Sequence, residues 1–217
     1  MPLFLRSCSV KPSPHTYDDK KLRLLLERYR CPTPFHAIRT RFLGCIVSPR
    51  SPSPLEAVQS LWSGELPAAQ SLDDLNELIG ALVMGLWNDL TQYQESKSRF
   101  RFVKLHLEPT RKSVGTLARI RREELDGFLE GLFGPEDVVE LPQSASTSMD
   151  HLGEIRALFY GTHNLLEDER KPATIRDLSE TLTNLKNISD IAQKELNAVV
   201  LNCTKARREN LIRPAKQ

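Results

Sequence analysis

One stretch of the sequence restricts the fold more than any other. Residues 78–87, Leu-Ile-Gly-Ala-Leu-Val-Met-Gly-Leu-Trp, carry no charged side chain. The stretch is too short to span a membrane, because a membrane-spanning helix needs about 20 apolar residues. The stretch lies inside a longer helical pattern, 72–93, whose apolar residues recur at spacings of three and four. Because a helix that is apolar on all sides is typical of a core, we predict a central buried helix at 72–93. Its Gly80 and Gly85 would let a neighbouring backbone come close.

The remaining pattern is also mainly helical. Ser53-Pro54-Leu55-Glu56 favours a helix start, because Ser53 can cap the helix and Glu56 can complete a capping box. Two segments are not predicted to be helical. In 98–107, apolar and basic residues nearly alternate, which favours a short extended segment. Residues 143–148 are a polar run typical of a loop. The sequence therefore predicts an all-α fold, a single multi-helix bundle. Its predicted helices are 18–30, 35–47, 54–62, 72–93, 114–133, 150–167 and a long helix from 174.

The chain divides into three predicted parts. Residues 1–16 contain three prolines and little periodicity, and they predict a mobile lead-in. Residues 17–203 form the predicted helical domain, and 204–217 a basic C-terminal tail. From 174 to 203 the apolar residues follow a two-per-heptad seam. This seam can pack against its own bundle or form a homodimer.

The compartment is predicted from the N-terminus and the cysteines. The first residues have too short an apolar run for a secretory signal, and the four cysteines contain no C-x-x-C pair. A small secreted scaffold would have a higher density of cysteine. We therefore expect reduced thiols, a cytoplasmic location and no membrane partner.

Motifs for catalysis or cofactor binding are not found in the sequence. It contains no G-x-G, no G-x-S-x-G and no H-E-x-x-H. Cys31, His36 and Cys45 could supply zinc ligands, with His15 as a candidate fourth, but a structural zinc site usually begins C-x₂₋₄-C. Buried free cysteines explain them more simply. We expect no cofactor and no metal.

A helical group of acids is a candidate for acid–base chemistry. Glu123, Glu124, Asp126 and Glu130 lie within one predicted helix. A carboxylate needs burial or a like-charge neighbour to shift its pKa, and acids on a helix are more typical of a solvated face. We assign no catalytic residue, and an enzyme is not the favoured class.

Charge distribution gives the main functional hypothesis. The net charge of +2 hides a segment, 97–122, with nine basic residues and one acidic residue, and another, 136–180, with ten acidic and four basic residues. An anionic partner would be steered to the basic segment, unless its arginines pair within the fold. Phe100 and Phe102 could stack on bases, although core packing is the simpler reading. The candidate surface residues are Arg99, Arg101, Lys104, Arg119, Arg121 and Arg122.

Three segments resemble the YecA/YgfB-like family of bacterial proteins. These are 35–62, with its Phe-Leu-Gly run and Pro-started helix, the Trp87-Asn88-Asp89 step, and Asp126-Gly-Phe-Leu-Glu-Gly131. The resemblance implies an all-helical bacterial protein and carries over no catalytic residue. Family members often end in a Cys-rich metal-binding motif, which this chain lacks. Asn88 would bind a ligand or, more simply, bridge a neighbouring helix.

Three classes of function therefore stay open. The leading hypothesis is a non-enzymatic interaction or regulatory protein that engages nucleic acid or an acidic protein through the basic segment. The second is a protein-binding adaptor or homodimer that uses the C-terminal helix. The third is an unrecognised hydrolase or metal enzyme.

Overall fold

The computed structural model describes residues 18–135, 139–168, 170 and 172–212. The described residues form an all-α bundle without a β-strand, which confirms the predicted fold class. The predicted N-terminal lead-in, 1–16, and the last part of the predicted tail, 213–217, lie outside the described residues. The helices are α1 (Asp19–Arg28), α2 (Phe35–Val47), α3 (Pro54–Gln59), α4 (Leu72–Ile79), α5 (Asn88–Thr91), α6 (Arg111–Phe133), α7 (Gln143–Glu167) and α8 (Ile175–Ile212).

Local sequence signals set several helix ends. The Asp18 side chain accepts a hydrogen bond from the Lys20 N–H at the start of α1. Ser53 and Glu56 form the predicted capping box of α3, with both reciprocal hydrogen bonds present. Ser71 caps α4 by accepting from the Asp74 N–H. Each cap satisfies a backbone donor that the first helical turn leaves without an intrahelical partner.

The centre of the bundle is the contact between α2 and α6. No residue of α2 is exposed, and 42–47 are all buried. Glycines bring the two backbones together: a β-carbon at Gly131 would overlap the carbonyl oxygen of Arg41, and one at Gly127 would lie 2.5 Å from that of Ala37. The central position predicted for 72–93 therefore belongs to α2.

The helical segment 72–94 is buried on one face only. It comprises α4, a π-helix (Gly80–Trp87), α5 and a 3₁₀ turn (Gln92–Gln94). Its leucines at 78, 82, 86 and 90 are at most 1% exposed, whereas Met84 is 68% exposed. Their spacing of four residues keeps the buried leucines on one side of the segment. The predicted close approach at Gly80 is not found, because nothing lies within 4 Å of a β-carbon built there.

Residues 98–108, which we call the ribbon, form neither a helix nor a strand, and exposed and buried residues alternate over 99–102 as in an extended chain. Side chains take the place of a partner strand. The Phe100 N–H donates to Asn197 Oδ1 (2.8 Å), and Asn197 Nδ2 donates to the Phe100 carbonyl (3.0 Å). The Phe102 N–H donates to Gln193 Oε1 at 3.0 Å. Because Gln193 and Asn197 are one turn apart, one face of α8 holds the ribbon.

The last two helices are longer than predicted. The polar run 143–148 is the first part of α7 rather than a loop, since Ala145 and Ser148 point inward and are buried. Helix α8 passes the predicted domain boundary at 203, and Arg207 Nη1 donates to the Ile46 carbonyl at 2.9 Å. The first part of the predicted tail is therefore packed on the bundle.

The apolar seam of α8 is buried within the chain. All seven of its apolar members are at most 8% exposed. A homodimer would have to use another surface. No helix among the described residues has the length and apolar character to cross a membrane. The buried seam residues are Leu178, Leu182, Leu185, Ala192, Leu196, Val199 and Cys203.

Candidate anion-binding surface

The six predicted surface cations do not form one exposed face. Arg99, Arg101 and Lys104 are exposed on the ribbon. The other three lie on α6, where local ion pairs and burial reduce their contact with solvent. The two groups therefore have to be considered separately.

Arg121 is a buried structural residue, which corrects its assignment to the surface. Its Nη1 donates to Glu124 Oε2 at 2.5 Å, and its Nη2 donates to the Val103 carbonyl at 2.9 Å. Its guanidinium lies 5.0 Å from the Phe102 ring centroid. Burial raises the pKa of Glu124, and the Arg121 charge opposes that rise. The Val103 N–H also donates to Glu124 Oε1 at 2.9 Å. The Arg121–Glu124 ion pair therefore fixes the second edge of the ribbon.

Arg119 is half-exposed and paired. Its Nη1 lies 2.8 and 2.9 Å from the two oxygens of Glu123. Glu123 Oε2 is also 2.7 Å from His36 Nε2. An ionised carboxylate only accepts hydrogen bonds, so Nε2 carries the proton of this imidazole. Burial lowers the pKa of His36, and the Glu123 carboxylate opposes that change.

Arg122 lies between α6 and α7. Its Nε is 3.6 Å from Asp126 Oδ2, and its guanidinium is 5.5 Å from the Tyr160 ring centroid. Asp126 also pairs with Arg156 on α7. Arg119, Arg121 and Arg122 thus each pair with an acid on their own helix.

These pairs also change the interpretation of the acidic group on α6. Glu124 is 0% exposed and Glu123 is largely buried, so the expected solvated face is wrong for these two residues. Glu130 is 57% exposed and pairs with Arg41 at 3.1 Å. Each acid of the group has a basic partner, and the geometry accounts for all four as ion-pair residues.

The ribbon cations are different, because their side chains have no ion-pair partner among the described residues. Phe100 and Phe102 are 0% and 8% exposed, so alternation along the extended chain turns Arg99 and Arg101 outward. Within the described residues, the side chains of Arg99, Arg101 and Lys104 make no ion pair. The core placement of the phenylalanines is confirmed, and their rings are not available to stack on bases.

The described residues that were considered as zinc ligands do not form a metal site. His36 is bonded to Glu123, and burial raises the pKa of the Cys45 thiol to about 11. Among the residues that the structure describes, no group of three or more His, Cys, Asp or Glu side chains is placed to hold a metal ion. Asn88 is exposed and donates to the Met84 carbonyl of its own helix at 3.3 Å, rather than bridging to another helix.

Sequence reasoning missed Gln193 and Asn197, and it considered Glu124 only for acid–base chemistry. Gln193, Asn197 and Glu124 hold the ribbon and so determine which of its side chains face outward. A signal was present for Asn197, because an amide inside the apolar seam of α8 needs a hydrogen-bonding partner. Its partner, Phe100, is 97 residues away in the sequence.

Comparison with known proteins adds no assignment. No protein-family model matches the chain, and neither the curated proteins nor the solved structures give a significant match. The resemblance to YecA/YgfB-like proteins stays a prediction.

Proposed function

We propose that this protein is a non-enzymatic interaction or regulatory protein that binds an anionic partner, nucleic acid or an acidic protein, through the ribbon. The observation that carries the proposal is the display of Arg99, Arg101 and Lys104 without ion pairs in the described residues. Exposed cations that keep their full charge attract an anionic partner and release counterions when it binds.

The fixed conformation of the ribbon supports this function. Asn197 and Gln193 bind one edge, and Arg121 and Glu124 bind the other. The outward side chains therefore start from a backbone that is already ordered, which reduces the entropy lost on binding. In an extended chain, Arg99 and Arg101 are about 6.6 Å apart along the backbone, a spacing suited to successive charges on an extended partner.

The other two hypotheses have less support. A dimer through the α8 seam would need apolar side chains that the chain itself buries. An active site needs a nucleophile or a general acid or base that can reach a substrate. The α6 acids and His36 are instead held in ion pairs and hydrogen bonds within the fold. An anionic partner would bind side chains that have no ion pair or hydrogen bond among the described residues.

The test compares two double variants with equal change in net charge. Arg99→Gln/Arg101→Gln removes ribbon cations, and Arg176→Gln/Lys186→Gln removes exposed cations from α8. The probes are a labelled single-stranded 20-mer and a poly-glutamate peptide, with binding followed by fluorescence anisotropy across a salt series. For the 20-mer, loss of two phosphate contacts should reduce the slope of log K against log salt by about 1.4.

Each outcome has a defined meaning. Weaker binding of either probe by the ribbon variant, with the α8 variant unchanged, supports the proposal and identifies the partner class. Equal weakening by both variants shows that only net charge matters and overturns it. Absence of binding to both probes by the unmodified protein also overturns it.

A further inference from the structure

A groove separate from the ribbon lies between the N-terminal half of α6 and the C-terminal end of α7. Its volume is about 800 Å³, within the range of roughly 300–1,000 Å³ that is typical of small-molecule sites. We call it the basic groove, because its walls carry three cations and one carboxylate. It is lined by Arg111, Lys112, Gly115, Thr116, Arg119, His163, Leu166 and Glu167.

The walls of the basic groove are held in place by contacts within the chain. Arg111 Nη1 donates to the carbonyls of Leu166 and Asp168 at 2.8 and 3.2 Å, which binds the start of α6 to the end of α7. These carbonyls end a helix and lack intrahelical donors. A β-carbon at Gly115 would be 3.8 Å from Leu166 Cβ, so the helices are close at the floor.

Arg119 presents donors that its ion pair does not use. Both of its hydrogen bonds to Glu123 come from Nη1. Within the described residues, its Nε and Nη2 have no hydrogen-bond partner, and the side chain is 41% exposed. Glu123 therefore orients the guanidinium and leaves two of its nitrogens to bind a ligand in the groove.

Lys112 and Thr116 lie on the same face of α6 as Arg119. The positions 112, 116 and 119 are separated by four and three residues, which places them one above another on a helix. In the described part of the chain, neither the Lys112 amine nor the Thr116 hydroxyl has a partner. Among the described residues that line the groove, the one carboxylate is Glu167, which is 69% exposed and pairs with His163 at 3.3 Å.

We propose that the basic groove binds a phosphoryl group. A guanidinium, an ammonium and a hydroxyl on one helix face supply charged and neutral donors to the three terminal oxygens of a phosphoryl dianion. The phosphoryl group can belong to a small phosphorylated molecule or to the terminal phosphate of a nucleic acid. This site shares no residue with the ribbon surface, so it does not depend on the proposed function.

The variant Lys112→Gln/Thr116→Val tests the site. Neither side chain bonds to a described residue, so we expect an unchanged thermal unfolding midpoint. Calorimetric titration with inorganic pyrophosphate should show saturable binding to the unmodified protein, weakened at least tenfold in the variant. Arg99→Gln/Arg101→Gln is the control and should bind pyrophosphate normally.

A second titration distinguishes the sources of the phosphoryl group. The probes are a single-stranded oligonucleotide with a 5′-phosphate and the same oligonucleotide without it. A preference for the phosphorylated form that is lost in Lys112→Gln/Thr116→Val assigns the group to a nucleic-acid end, whereas binding of pyrophosphate alone assigns it to a small molecule. If neither pyrophosphate nor the phosphorylated oligonucleotide binds saturably, or if the variant binds as the unmodified protein does, the proposal is wrong.

Discussion

The α2–α6 contact and the segment 72–94 look alike in sequence but differ in packing. Both combine large apolar residues with glycines four or five positions apart. At Gly131, a β-carbon would overlap the backbone of α2, whereas a β-carbon at Gly80 would have no neighbour within 4 Å. Glycine therefore brings helices together at Gly131, and at Gly80 it leaves an open surface.

The difference shows what an apolar pattern can and cannot specify. Helix α2 contains His36, Arg39 and Arg41, yet it is the helix with no exposed residue. These polar residues extend their charged or hydrogen-bonding ends to the edges of the contact, as long side chains commonly do. The stretch 78–87 has no charged residue, yet it exposes Met84. Burial on all sides depends on which helices surround a segment, and not on its composition alone.

The largest expected effect comes from adding a methyl group at Gly131, where the backbones of α2 and α6 are in close contact. Gly131→Ala should lower the free energy of unfolding by about 3 kcal/mol, because the added methyl group forces two helix backbones apart. The measurement is urea denaturation followed by circular dichroism. Gly153→Ala in α7 is the matched control, since nothing lies within 4 Å of a β-carbon there. An equal response of both variants would contradict the close contact.

A smaller effect of opposite sign is expected in the other region. Gly80→Ala should raise the free energy of unfolding by about 0.5–1 kcal/mol, since alanine is the better helix former and the site has room for a methyl group. The same denaturation assay measures this gain. A loss of stability would show that the outer face of 72–94 is covered.

The smallest effect concerns the acid sensitivity of the α2–α6 contact. Burial lowers the pKa of His36 below its ordinary value of 6.5, so between these two values the unfolded chain binds more protons than the folded chain. Stability should therefore fall as the pH drops from 6.5 through the lowered pKa. The measurement is the free energy of unfolding against pH for the unmodified protein and for His36→Gln, which should lack this component.

If His36→Gln keeps the pH dependence of the unmodified protein, the acid sensitivity does not arise from the α2–α6 contact.

Local signals predicted the helices better than their arrangement. The bounds predicted for α2, 35–47, agree with the structure because Pro34 precedes the helix and Ser48-Pro49 follows it. The start of α7 was missed because a run of serines and threonines has low helix propensity, and buried contacts at Ala145 override it.

The candidate site was predicted only in part. Exposure of Arg99 and Arg101 follows from alternation along an extended segment, which the sequence shows. Pairing on α6 was also present in the sequence, because Arg119 and Glu123 are four residues apart and Arg121 and Glu124 are three apart. The charge count over 97–122 does not show these pairs, because it adds up charges and not their spacing along the helix.

The way α8 holds the ribbon has a consequence for synthesis of the protein. The amide group that fixes Phe100 is translated 97 residues later. During translation, the edge of the ribbon that Asn197 holds therefore stays unpaired until Asn197 has left the ribosome. A nascent chain thus lacks one of the two sets of contacts that order the ribbon in the finished protein.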